Sequence, residues 1–152
     1  MQIIMIKPHH FIDIIKLYGK GIEVFVPDVK MGHDFYRIAN LIIQNPEIKL
    51  QLTINGDDIC LPCLKYHHSC TDSINHIQGM TSKNAYNMML DQRIIQLFSL
   101  TKTDYSAKEL CQIIYQNHEY IFEVWKEEDN KISHIRHDLF LKGAQKYLKH
   151  SW

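Results

Sequence analysis

Residues 57–70, DDICLPCLKYHHSC, hold three of the chain's four cysteines and two adjacent histidines. Thiolates and imidazoles bind zinc, and thiolates hold iron–sulfur clusters. Cys60 and Cys63 have two residues between them, so one turn brings both sulfurs to the same side, and Pro62 stiffens that turn. Cys70 lies seven residues further on, on a loop long enough to wrap around a metal group. A Cys-x-x-Cys pair alone is ambiguous between metal binding and dithiol redox chemistry. The third cysteine tilts the balance toward a metal or cluster, with thiol exchange at Cys60 and Cys63 and plain core cysteines as alternatives.

The fourth ligand separates the metals. A zinc site would take His67 or His68 to give three cysteines and one histidine. All of these lie in one short loop, whereas structural zinc sites more often join two separated ligand pairs, so the arrangement weakens zinc. Cys111 is a further candidate, but it flanks an apolar helical stripe and reads first as a small core residue. His9, His10 and Asp13 form a second group after a short apolar run, close enough in helical spacing to share a face. Its plainer reading is a solvated Asp13 and a capping His10. Asp57 and Asp58 suit the capping of the turn before Cys60. Asp91, in the middle of a helix, either faces solvent or reaches back to the site. His118, His134, His137 and His150 read as surface or interhelical polar residues.

The elements that must position these groups follow from periodicity. QIIMI (2–6) is a short buried strand ended by Pro8, and a helix from His9 or His10 to about Tyr18 closes at the glycines of YGKG. HDFYRIANLIIQ (33–44) is an amphipathic helix stopped by Asn45-Pro46. IKLQLTI (48–54) alternates strictly and ends at the Asn55-Gly56 turn, which places the cysteine loop at a strand end. Residues 71–83 read as loop and 84–100 as helix. Ser106 and Glu109 form a capping box for a helix over about 106–125, with Leu110, Ile113, Ile114, Ile121 and Trp125 on one stripe. A last helix near 132–149 offers Ile135, Leu139, Leu141 and Leu148 to the core. The expected fold is α+β, mostly helical with a small sheet. It makes one compact domain of 152 residues, with a site-bearing core over 1–100 and a helical extension over 101–152.

Lys plus Arg and Asp plus Glu number 17 each, and the balance holds in both parts of the chain. No basic stripe marks a nucleic-acid partner. The first apolar run ends at Lys7 after about six residues, too short for a signal-peptide core, and no later run reaches the roughly 18 needed to span a bilayer. A cytoplasmic, membrane-free protein is expected. In a reducing compartment, clustered cysteines serve as metal ligands or redox thiols more often than as a structural disulfide.

KPHHFIDIIKLYGKG, then DDICLPC, Cys70 and LDQRIIQLFSL, in that order, resemble the small prokaryotic proteins known as domain of unknown function 1284. The resemblance covers about residues 5–100 and rests on the paired histidines after Pro8, the GKG, Asp58-Ile59-Cys60 with Cys63, and Asp91. The family has been suggested to bind an iron–sulfur cluster and has no established activity. Its members commonly carry a cysteine three residues after the second histidine, where this chain has Asp13. The resemblance thus implies a 4Fe–4S cluster on Cys60, Cys63 and Cys70, with Asp13 or an exogenous group at the fourth iron. Electron transfer and Lewis-acid chemistry are both open to such a cluster, the latter with His9 and His10 as proton carriers and a small molecule as substrate. A zinc-bound interaction module without catalysis is the alternative.

Overall fold

The computed structural model describes residues 2–67 and 69–149. Strand β1 (Ile3–Ile6) alternates, with Ile4 and Ile6 buried and Ile3 and Met5 exposed. It runs parallel to β2 (Lys49–Leu52), in register Ile3 to Lys49 through Ile6 to Leu52. The ladder is shorter than the alternating run of 48–54, because β1 gives way at Pro8 to a helix; Thr53 N–H still donates to the Ile6 carbonyl at 3.1 Å.

Helix α1 (Pro8–Gly19) starts on the proline, whose missing N–H costs nothing at a helix N-terminus. It ends at Lys20, and Gly21 follows at φ 108°, a left-handed conformation that glycine adopts without strain. Phe11, Ile12, Ile14, Ile15 and Tyr18 are buried on nearly every side of α1, which makes it the central helix. Helix α2 (Phe35–Gln44) buries Ile38, Ala39 and Ile42. A small hairpin, β3 (Tyr66–His67) and β4 (Ser69–Cys70), closes the cysteine loop, and α3 (Lys83–Leu97) follows with Ser82 capping its first turn.

Strand β5 (Tyr105–Ser106) pairs antiparallel with β2, and the Ser106 side chain accepts from the Glu109 N–H as the capping box predicts. The helix expected over 106–125 is two. Helix α4 (Ala107–Gln116) stops where Asn117 turns its side-chain amide back onto the Ile113 carbonyl at 3.2 Å, and α5 (Tyr120–Val124) restarts after it. Helix α6 (Asn130–Lys149) buries Ser133, His137, Phe140, Gly143, Ala144 and Tyr147; Ile135, expected in the core, is 51% exposed, and Leu139, Leu141 and Leu148 are half-buried. The small residues choose this face. A Cβ on Gly19 would stand 2.0 Å from the Leu139 carbonyl oxygen, and one on Gly143 would stand 1.9 Å from that of Ile15, so α1 and α6 cross backbone against backbone.

The fold is α+β, mostly helical, around one hydrophobic core. Residues 101–149 supply an edge of the sheet and the helix that covers α1, and the Tyr147 hydroxyl donates to the Ile42 carbonyl at 2.7 Å. They belong to the core and are not an extension of it. No helix among the described residues is long and apolar enough to cross a membrane. The crossing yields a stability test. Gly143→Ala is expected to lower the free energy of unfolding by about 3 kcal/mol, as overpacking against backbone does. Gly21→Ala meets no atom within 4 Å and loses only about 1 kcal/mol to its left-handed backbone. Urea denaturation of the two variants checks this order.

Candidate functional site

The site is built from the chain reversal after β2. Asp57, 1% exposed, accepts four hydrogen bonds on its carboxylate. Oδ2 takes the Lys7 N–H at 2.8 Å and the His10 Nδ1–H at 2.7 Å, and Oδ1 takes the amides of Ile59 and Cys60 at 3.2 and 3.1 Å. Asp58 adds a second stitch, accepting from the Met5 N–H at 2.9 Å while its own N–H donates to the Met5 carbonyl at 3.0 Å. The two acids that read as caps are therefore caps and clamps at once. They hold the turn at Cys60 against the junction of β1 and α1.

This places Cys60 beside His10. A ring nitrogen of His10, a carboxylate oxygen of Asp57 and the Cys60 sulfur lie within 4.8 Å of one another, the one such trio among the described residues. Burial would raise the Asp57 pKa, but His10 and the donor amides hold it well below the ordinary carboxylate range. Burial and the Asp57 charge together push the Cys60 thiol up to about 11, so it is protonated at neutral pH and hydrogen-bonds to that carboxylate.

His9 is oriented in the same way by a different acid. Asp91, fully buried on α3, accepts both the His9 N–H and its ring Nδ1–H at 2.8 Å. Asp91 thus takes the second of its two sequence readings. The rings of His9 and His10 lie 4.3 Å apart. Each has its Nδ1 tied to a carboxylate, which leaves Nε2 for other work, the arrangement by which second-layer acids orient histidine ligands and bases. Their charges diverge. Burial lowers His9, but Asp91, through charge and hydrogen bond, outweighs it and the pKa is raised. Burial and the neighbouring His9 carry His10 down against the pull of Asp57.

The remaining predicted residues, Cys63 and Cys70 included, lie outside this trio. Cys63 lies one turn beyond Cys60, its N–H donating to the Cys60 carbonyl at 2.9 Å, and Cys70 sits on β4 opposite Tyr66; both are half-buried, and all four cysteines are free thiols. The loop is anchored outward too, by Asp34 N–H to the Ile59 carbonyl at 3.0 Å and Leu64 N–H to the Met31 carbonyl at 2.7 Å. Asp13 lies outside the trio, on the same helix as the histidines, with Lys16 Nζ at 3.3 Å. His67 is exposed on β3, and His68 falls outside the described residues, as does His150. Cys111 is fully buried within the core, its thiol pushed far up by desolvation, and takes the part of a small core residue. His118 and His137 face each other at 2.8 Å between the end of α4 and α6, an interhelical pair as their positions suggest.

His9, His10 and Asp13 open onto a cavity of about 330 Å³ whose far wall comes from residues that sequence reasoning passed over: His76, Tyr86, Glu128 and Arg136. Glu128 sits in a charged run, KEED, that reads as solvated surface, yet its side chain is only 8% exposed and accepts the Tyr86 O–H at 2.5 Å and Arg136 Nη2 at 2.9 Å. No periodicity signals that. No family model matches the chain, and neither a curated protein nor a solved structure matches it.

Two outcomes test this geometry. Asp57→Asn sets an amide donor against donors and should cost about 3 kcal/mol of stability at neutral pH. Because the native Asp57 pKa is depressed, its contribution is full above the unfolded value and is lost as pH falls through the native one, so the gap to Asp57→Asn narrows below about pH 4. Denaturation curves at the two pH values measure it. In proton NMR, His9 should titrate above its ordinary 6.5, and in Asp91→Asn, with burial left unopposed, below it.

Proposed function

We propose that this protein binds a metal centre on the 57–70 loop, an iron–sulfur cluster on Cys60, Cys63 and Cys70, with His10 beside it in the fourth position. The observation that carries this reading is the approach of His10, Asp57 and Cys60 to within 4.8 Å. It gives a thiol and a carboxylate-oriented imidazole a common focus, at the head of a loop whose other two thiols are free and half-buried. Cysteine thiolates are the donors that iron–sulfur clusters take, four as a rule, so three leave one position for another ligand. The residues that resemble domain of unknown function 1284 meet here as well: the paired histidines, the cysteine loop and Asp91. Asp13, the fourth ligand that resemblance implies, lies outside the trio, and His10 takes that part.

A bound cluster supplies an electron or a Lewis-acidic iron. Beside the His10 imidazole, His9 is held against Asp91, whose charge and hydrogen bond favour its protonated form, so a proton donor would stand next to the metal group. A small molecule in the cavity or a redox partner at the loop fits this arrangement, and the even charge of the chain argues against nucleic acid. Free thiols suit the reducing cytoplasm. Zinc is the second reading, because the trio itself offers nitrogen, oxygen and sulfur donors of the kind zinc accepts. Thiol exchange at Cys60 and Cys63 is the third reading, and it would need no bound metal.

Protein purified without oxygen should carry iron and acid-labile sulfide with broad absorption near 400 nm. One zinc per chain without iron selects the second reading, and neither metal, after anaerobic reconstitution, refutes both. Cys60→Ser should abolish metal content. His10→Cys should lengthen the life of the cluster in air, and Asp13→Cys should leave it unchanged.

A further inference from the structure

Arg136 is 12% exposed and stacks its guanidinium carbon 4.2 Å from the ring centre of Trp125. Nη2 is engaged by Glu128, but Nε and Nη1 are buried without an acceptor, the only such side-chain atoms among the described residues. Arginine cannot shed its charge by losing a proton, and buried donors of a cation are rarely left unmet. Arg136 forms part of the wall of the cavity that His9 and His10 open onto.

The carboxylates around that cavity are already engaged. Glu128 serves Tyr86 and Arg136 and has His76 Nε2 at 3.5 Å, and Asp13 faces Lys16. Lys83, held loosely at 3.5 Å by Asp72, adds a further cation. Phe35, Ile74 and Leu90 give the same space an apolar side. A wall that carries the guanidinium of Arg136, the ammonium of Lys83 and an apolar flank is complementary to an amphipathic anion.

We propose that this cavity binds a small organic acid, its carboxylate or phosphate oxyanion received by Arg136 and its apolar body lying against Phe35, Ile74 and Leu90. The site is independent of the metal reading, since Arg136, Glu128 and Trp125 lie outside the 57–70 loop. It would bring a ligand next to the paired histidines whether or not metal is bound.

Calorimetric titration of the whole chain with benzoate, phenyl phosphate and benzyl alcohol tests it. At least one acid is expected to bind with one site per chain and the alcohol not at all; which acid binds distinguishes a carboxylate from a phosphate ligand. Arg136→Gln should weaken that binding about tenfold or more. Ile74→Trp, which fills the cavity from a loop and leaves Arg136 in place, should abolish it. The proposal fails if neither acid binds at millimolar concentration, if the alcohol binds as well as the acids, or if an acid binds Ile74→Trp as tightly as the unaltered protein. Iron or zinc content is measured on the same samples, so loss of the metal reading would leave the titration interpretable.

Discussion

A single buried carboxylate holds the site together. Asp57 collects the backbone of β1's end, the ring of His10 and the amides of the cysteine turn on two oxygens. An ion taken out of water is costly, and four donors are what make its burial tolerable. The same four bonds are positional. They decide which nitrogen of His10 carries its proton, where the turn at Cys60 lies and how close the two come. No other acid of the loop could be exchanged for it, since Asp58, one residue on, points to Met5.

The two histidines show how adjacent, identical residues acquire different chemistry. They are consecutive on α1, yet the acids that hold them come from 82 residues away for His9 and 47 for His10. A fully buried partner lifts the first, while the charged neighbour and burial lower the second. A pair of imidazoles poised apart in this way does not depend on any property of the His-His dipeptide. It depends on the packing of α3 and the post-β2 turn against one helix end.

Much of this was legible in the sequence where local chemistry decides. Pro8, the alternation of 48–54 and the Ser106 cap place elements because each acts within a few residues. The meeting of the histidine helix with the cysteine loop was open in the sequence, where the plainer reading left Asp13 solvated and His10 a cap. What could not be read was set by contacts between distant backbones. Ile135 looked like core and is exposed because Gly19 and Gly143 rotate α6 to another face. The break at Asn117 arises from one side-chain amide that competes with the helix. Glu128 and Arg136 sat in segments whose composition marks solvent, and only the fold shows them drawn in against Tyr86 and Trp125.

The crossing of α1 and α6 also orders events in time. Lys146, at the far end of that contact, reaches Glu23 across 123 residues of chain. A ribosome making this protein releases the oily central helix long before its cover exists, and the cavity lacks Arg136 until the last helix emerges. The cysteine loop, in contrast, can close on β1 within the first half of synthesis. The clamp of the loop on β1 can therefore form before the pocket is complete, and in that interval the apolar face of α1 stands without its cover.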